Sequence, residues 1–565
     1  MAAATFLAVL ATVADMIRDT TGFSSDPLYL IKFAWHLVLF LIMFRLGFAA
    51  LDWLSRPSAE PKGWVSAIEE LIAIPSTYHP QSIVRTAAPI FTSWLPMLIL
   101  LFPGVIWYDT RQQLLQFFGL PNNFTAGALS DHHPVFDTLL YGAFADIGRR
   151  LGSADLGVYA FCLIQAAAVG CALACCLVLA KRAGATSRTL AALSLVLCIN
   201  PLFPAYASAM AKDATFLPFF LLFSVSAIEI ARSAGAVLRR RRNAVAFACL
   251  ALMCCLTRKT GLVMVLVVCG GLAIHMLRCK TTEGQKAPCR QALRGVTIAA
   301  GISLAVVGAL IPRVVLPALN AEPGGSQEVL GLLFQQSSRL MKECGETVPA
   351  WQRTAIEDLL GDDVADRYSW WITDTVKDPV TKALQTDRIP AYLAAWAAGL
   401  IAHPLLYLET YAAVEIGWYA APSAASGNAI MFETPIDAHE MDHTFEGSDS
   451  IGLIWTDASA GAIVERLDTW ILESPVGMLG RSKALWSTWT LVFLLVACRR
   501  RAPKRLTWLL PLIAANLVLW ASPTSVTREA MRYLLPVLFL APVSWALIAR
   551  PARPQPIDQD QRQIP

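Results

Sequence analysis

Residues 103–142 read PGVIWYDTRQQLLQFFGLPNNFTAGALSDHHPVFDTLLYG, and they mark the place where an apolar segment ends and polar chemistry begins. Asp109 falls just past the last apolar turn, and Arg111 follows two residues later. An amphipathic run leads to Asp131-His132-His133-Pro134, and a second amphipathic run covers 135–147. Apolar residues recurring at helical spacing predict two helices with one wet and one apolar face, suited to lying along a membrane surface. An interfacial loop with helix caps would account for this stretch on its own. The rest of the chain asks more of it.

Working outward, 56% of the 565 residues are hydrophobic and 16% are charged, where a soluble domain carries about 25% charge. Mean hydropathy is +0.51, so most of the chain belongs in lipid. Segments near the length of a bilayer core, about 20 residues, lie near 29–51, 88–107, 156–180, 189–207, 214–231, 295–316 and 531–549. Shorter ones lie near 243–256, 261–277, 484–498 and 506–521, with a further candidate at 4–17. The expected fold is an all-α polytopic membrane protein of about 11–12 transmembrane helices, with membrane-parallel external helices and a mainly helical external insertion. The N-terminus shows no basic n-region and no clear cleavage site, so no cleaved signal peptide is read there. Net charge is +4, and because the basic residues follow topology, no nucleic-acid partner is expected.

The thirteen cysteines include no CxxC pair. Most fall inside apolar segments (Cys162, Cys171, Cys175, Cys176, Cys198, Cys249, Cys254, Cys255, Cys269), and Cys279, Cys289 and Cys498 sit in basic loops or at their edges. They read as small buried apolar residues, not as a zinc site or a disulfide frame.

Four connections are strongly basic: Lys181, Arg182 and Arg188; Arg232 with Arg239 to Arg242; the loop from Arg278 to Arg294; and Arg499 to Arg501 with Lys504 and Arg505. The positive-inside rule places them in the cytoplasm. The connections 109–155, 208–213, 257–260 and 522–532 are then external. So is 317–483, since 295–316 exits and 484–498 re-enters. Within 317–483, a mixed-polarity helical part (about 325–390) precedes an apolar part, 391–421, that parity makes membrane-parallel or re-entrant, and then a polar part, 422–483. Cys344 is the only external cysteine and cannot form an external disulfide. The expected units are an N-terminal transmembrane module, 1–316, with an external loop 108–155; the external region 317–483; transmembrane helices in 484–549; and a disordered cytoplasmic tail, 550–565.

With sides assigned, the polar residues converge. Asp109, Arg111, Asp131, His132 and His133 are external. So are Lys212-Asp213 before an apolar segment, Arg258-Lys259 in LTRKTGL, and Arg528, Glu529, Arg532 and Tyr533 in TREAMRYLLP. Ionisable groups at membrane depth are costly and face a cavity or a partner. Snorkelling would account for Arg532 alone, and a helix-start ion pair for Lys212-Asp213. Cations from segments this far apart on one face point to a shared anionic ligand, such as a lipid phosphate or diphosphate.

At these residues the chain resembles the glycosyltransferase C superfamily, polytopic enzymes that use polyprenyl-phosphate-linked sugars. The resemblance rests on PGVIWYDTRQQ, SDHHPVFDTLLYG, AMAKDATF, LTRKTGL and the late Arg-Tyr-Leu-Leu-Pro, spread over 103–540. It implies inverting transfer from a polyprenyl-phosphate-sugar donor to a glycan, lipid or protein acceptor. The setting would be the external face of the cytoplasmic (inner) membrane, in cell-envelope glycan or glycolipid assembly. It implies Asp109 as the base for the acceptor hydroxyl. Lys212, Arg258, Lys259, Arg528 and Arg532 would hold the developing phosphate charge. Asp213 would position the acceptor or Lys212, and Asp131, His132 and His133 would orient sugar or bind a metal. Arg111 and Tyr533 are carried as substrate-binding. A divalent cation is left open.

Two other readings stand beside it. Residues 439–443, His-Glu-Met-Asp-His, satisfy the zinc-protease pattern H-E-x-x-H, with Glu465 available as a third ligand. The flanks are polar, Pro435 precedes and Gly447 follows, so a solvated acidic loop is the plainer expectation. A transporter or lipid flippase would use the external cations to hold a headgroup without chemistry, although no internal repeat is visible. Asn123-Phe124-Thr125 matches a glycosylation sequon.

Overall fold

The computed structural model describes residues 1–56, 63–107, 109–278, 283–325, 327–380, 387–421, 441–522 and 531–549. Helices α1 (Ala2–Thr20) and α2 (Leu28–Ser55) pack as an N-terminal hairpin. After α3 (Trp64–Ile72), α4 (Pro80–Leu100) leads into strand β1 (Val105–Ile106). Helices α5 (Asp109–Phe117) and α6 (Val135–Arg150) pack on each other and hand over to α7 (Ala154–Arg182), α8 (Ser187–Ile199) and α9 (Leu202–Ala207). Strand β2 (Ala209–Met210) precedes α10 (Lys212–Arg232), α11 (Arg241–Thr257), α12 (Gly261–Arg278) and α13 (Glu283–Ala305). The last of these runs on as a π-helical stretch, Val306–Val315, into α14 (Leu316–Ala318).

Among the described residues six helices are long and apolar enough to cross a bilayer: Leu28–Ser55, Pro80–Leu100, Ala154–Arg182, Lys212–Arg232, Gly261–Arg278 and Cys289–Ala318. The chain is a multi-pass all-α membrane protein. The other expected spans are helical but shorter or outside that set, including α1, α8, α11 and the C-terminal helices Thr490–Arg501, Leu510–Trp520 and Met531–Ile548.

Two expected spans end early. The segment 88–107 stops being helical at Leu100, and 189–207 breaks after Ile199. Pro103-Gly104 and Pro201 interrupt the two helices. The chain released by these breaks pairs as parallel strands, Val105 opposite Ala209 and Ile106 opposite Met210. Nearly three-quarters of the most apolar stretch of α7 (72%) and 89% of that of α10 are buried by protein, against 11% for α2 and for Cys289–Ala318. Helices α7 and α10 are therefore the central pair, and the latter two face outward. Ser153 accepts from the Asp155 backbone N–H to cap α7, whose last turn carries Lys181 and Arg182, so both ends complement the helix dipole.

The 317–414 stretch forms its own apolar core. Helices α15 (Gln327–Cys344), α16 (Ala350–Leu360), α17 (Asp374–Lys377), α18 (Ile389–Ala402) and α19 (Pro404–Val414) share it, with Phe334, Leu340, Ile356, Tyr392 and Tyr407 inside. The apolar part at 391–421 thus packs with the mixed-polarity part before it. Helices α18 and α19 meet at a 105° bend, and α19 with the turn after it rests on α1, where Ala413 and Ile416 share a cluster with Ala14 and Ile17. The tail 550–565 lies outside the described residues.

Candidate functional site

Both early helix breaks serve one purpose. The β1–β2 pair is two residues long, yet it brings Asp109, three residues past β1, beside Lys212, two residues past β2. Buried side chains fix the pair. Thr110 donates its hydroxyl to the Met210 carbonyl at 2.6 Å, and the Gln165 amide donates to the carbonyls of Ala207 (2.9 Å) and Ala209 (2.8 Å). Thr215 donates in turn to Gln165 Oε1 at 2.9 Å. Satisfying these buried carbonyls avoids a penalty of about 1–3 kcal/mol each.

Asp109 holds two cations on one oxygen. Lys212 Nζ lies 2.7 Å and Arg532 Nη1 2.6 Å from its Oδ2. Burial works against the charge, but the Arg532 and Lys212 cations outweigh it and hold the Asp109 carboxyl well below the usual carboxylate range. Lys212 Nζ also approaches His133 Nδ1 at 2.9 Å. An ammonium can only donate, so Nδ1 accepts and the proton of neutral His133 sits on Nε2. That nitrogen faces Asp109 Oδ1 at 3.8 Å, too far for a hydrogen bond.

His132 stacks on Phe124 with ring centroids 4.1 Å apart and planes 21° apart, and His133 stands edge-on to both rings. Burial pushes His132 down to about 4, and burial together with Lys212 lowers His133 well below its ordinary value. The free-chain histidine pKa is about 6.5. As pH falls from there toward 4, the unfolded chain takes up a proton that folded His132 refuses, so stability drops across that window. Replacing His132 by Phe should make the slope of stability against pH shallower by up to ~1.4 kcal/mol per pH unit, the worth of one proton. Unfolding temperatures of detergent-solubilised protein between pH 4 and 7 check this; an unchanged slope contradicts it.

Arg258 is 3% exposed and lies between the rings of Phe216 (5.6 Å) and Tyr533 (5.4 Å). Its Nε meets Asp213 Oδ1 at 3.3 Å, while Nη1 and Nη2 have no hydrogen-bond partner among the described residues. A buried guanidinium with two unanswered nitrogens is costly unless a ligand completes it. The Tyr533 ring also carries Arg532 at 5.4 Å, so one ring touches both cations.

These groups open on one cavity of about 470 Å³. Asp109, His132, His133, Lys212, Asp213, Arg258, Lys259, Arg532 and Tyr533, all expected in the site, line it. Asp131 sits at its edge, paired with Lys259 at 3.4 Å. Arg111 is not part of the lining; its guanidinium stands over Phe445 at 5.7 Å. Amphipathic α5 turns that side chain toward the 441–455 loop. Arg528 lies outside the described residues.

The cavity also takes in Asn123, Phe124, Glu328, Asp374, Lys377 and Asp378, which the sequence did not single out as site residues. Asn123 and Phe124 were visible only as a sequon. The other four come from α15 to α17 and their surroundings. Lys377 pairs with Glu328 (2.9 Å) and Asp374 (3.0 Å), and despite burial these acids raise its pKa above the ordinary lysine value. Nothing local distinguishes these charges from a solvated helix face.

The zinc-protease pattern dissolves at its second histidine. His443 is fully buried, contrary to the expected solvated loop, because its Nδ1 meets Asp155 Oδ1 at 2.6 Å and its Nε2 meets the Gly104 carbonyl at 3.0 Å. Both ring nitrogens are taken, so neither can ligate a metal without breaking the tie between this loop and α7. Among the described residues no group of three or more His, Cys, Asp or Glu is placed to hold a metal; His439 and Glu440 lie outside them. Replacing His443 by Ala should destabilise the fold by roughly 3 kcal/mol, since it strips a buried carboxylate of a partner. Zinc or a chelator should change neither protein's unfolding midpoint, and a zinc-dependent shift lost in the variant would contradict this assignment.

One family model matches, over residues 117–562, with the description family of unknown function, DUF6020. The matched span holds every expected site residue except Asp109 and Arg111. No curated protein and no solved structure matches.

Proposed function

The chain belongs to the family of unknown function DUF6020, and from that premise we propose that it is an inverting membrane glycosyltransferase taking its sugar from a polyprenyl-phosphate-linked donor. The observation that carries the reading is Arg258, a buried guanidinium with two unpartnered nitrogens on a cavity that also holds Lys212, Arg532 and a carboxylate. A planar fork matches two oxygens of one phosphate. The 470 Å³ volume suits a phosphate with one attached ring.

In the proposed reaction the acceptor hydroxyl attacks the anomeric carbon, the bond from that carbon to the phosphate oxygen breaks, and the electron pair leaves on the lipid phosphate. Arg258, Lys212 and Arg532 neutralise that charge. The acceptor proton passes to Asp109. With two cations on it Asp109 is a weak base, so its role depends on the donor. A phosphate that draws Lys212 and Arg532 to itself releases Asp109 and raises its basicity. Lys259 and Asp213 hold the loops that carry these groups. The reaction would take place at the external face of the cytoplasmic membrane, where the polyprenyl-phosphate sugar and a cell-envelope acceptor are both within reach.

The test is transfer by purified full-length protein from a panel of polyprenyl-phosphate sugars, with wild type, Asp109→Asn and His439→Ala side by side. Turnover lost in Asp109→Asn and kept in His439→Ala supports the reading. Donor binding with no turnover toward any acceptor overturns it in favour of a carrier for the same lipid.

A further inference from the structure

A second cavity, of about 280 Å³, adjoins the first and shares Asn123, Phe124 and His132 with it. Its far wall is Ser130, Glu322 and the glycine pair Gly324-Gly325. These walls come from two parts of the chain far apart in sequence, and each is fixed in place. Asp131 donates its backbone N–H to the Glu322 carbonyl, and Glu322 donates its own to the Leu129 carbonyl, both at 2.8 Å. Asn122 Oδ1 accepts from the backbone of Phe124 (3.0 Å) and Thr125 (3.1 Å), while Gln112 Oε1 accepts from the Asn123 N–H (2.9 Å). A Cβ on Gly324 would stand 2.4 Å from the Asp131 carbonyl oxygen, so only glycine lets the two walls close this far. The cleft is preformed, and a ligand loses little by ordering it.

Its chemistry is specific in kind. Glu322, which has no ion-pair partner among the described residues, and Asn123 line the cleft together with the stacked phenyl and neutral imidazole rings of Phe124 and His132. Carboxylate and amide groups converging beside an aromatic face suit a ring with hydroxyls on its edge and C–H bonds on its face. The volume sits at the lower end for ligand sites, room for one such ring. A long apolar chain would leave these polar groups unanswered.

We propose that this cleft is the acceptor subsite and that it takes a glycosyl unit, which makes the acceptor of the transfer a glycan. This rests on the transferase reading for its role, though the binding it requires stands by itself. The Phe124–His132 stack is the shared wall, so an acceptor ring held against it lies next to the phosphate cavity, and its hydroxyl can be aimed at Asp109 and the anomeric carbon. It also gives the 317–483 region a task, since Glu322 and the two glycines open that region.

The test uses full-length protein in detergent and methyl glycosides of common hexoses and N-acetylhexosamines. Binding is read by saturation-transfer NMR, with polyprenyl-phosphate affinity measured separately. Glu322→Ala, which leaves the backbone bridge intact, should weaken glycoside binding about tenfold or more and leave polyprenyl-phosphate affinity within about twofold. Phe124→Leu should weaken it likewise, and Phe124→Tyr should restore it. Glycoside binding that is absent from wild type, or unchanged in Glu322→Ala, overturns the subsite even if transfer to a lipid or peptide hydroxyl is observed. Glycoside binding lost in Glu322→Ala without any polyprenyl-phosphate binding keeps the subsite and removes the transferase reading.

Discussion

Asp109→Asn is expected to lower turnover by about 10²–10⁴-fold, the usual contribution of a general base, while donor affinity stays level or rises. The two effects part because of geometry. In the free protein Lys212 and Arg532 both spend their charge on Asp109 Oδ2, at 2.7 and 2.6 Å. An amide attracts them less, so in the variant they are freer to meet a phosphate, and Kd should not increase. Turnover falls because an amide takes no proton. A fall in affinity that parallels the fall in turnover would make Asp109 a binding residue, and unchanged turnover would remove it from the chemistry. Stability gives a further check with a fixed sign. The native carboxyl titrates well below its unfolded range, so its stabilisation is present above about pH 4 and is lost as pH falls through the lowered native value. The variant should therefore be less stable than wild type near neutrality, with the gap closing in strong acid.

Arg258→Lys is expected to weaken polyprenyl-phosphate binding by about 10²-fold and leave the fold intact. Lysine keeps a positive charge near Asp213 but loses the planar fork, and with it one or two charge-assisted hydrogen bonds of about 1.5–3 kcal/mol each. Arg258→Ala is the poorer test. It strands Asp213, whose side chain is 1% exposed, and breaking a buried pair that way costs about 3–5 kcal/mol. Loss of binding there could not be told from loss of structure. With Arg258→Lys, an unchanged unfolding midpoint and a weakened phosphate affinity together locate the anion site. Unchanged affinity would mean that the two unpartnered guanidinium nitrogens serve the packing of Phe216 and Tyr533 alone.

Much of this was legible in one dimension. Long apolar runs flanked by basic loops fix a helical multi-pass protein, because an unpaired backbone is intolerable in lipid and helices satisfy it locally. The sidedness rule gathers Asp109, His132, His133, Lys212, Arg258 and Arg532 on one face before any coordinates are considered, and these residues do line one cavity. Local pattern also has its failures. Periodicity carried two spans past their ends, because the two-residue strands Val105–Ile106 and Ala209–Met210 are as apolar as the helices before them. The motif at 439–443 reads as a solvated loop, yet His443 is a buried tie to Asp155 and Gly104.

What the sequence by itself determined is the class of protein and the list of charges with something to hold. Which charge meets which was decided only by tertiary structure. The two cations on one oxygen of Asp109 come from positions 103 and 423 residues away along the chain. The second cleft joins 123–132 to 322–325, and the rim of the first cavity is completed by Glu328, Asp374 and Lys377. Pairings at such separations depend on how helices pack, and packing is set by the summed shape of many side chains and not by any motif a short window can hold.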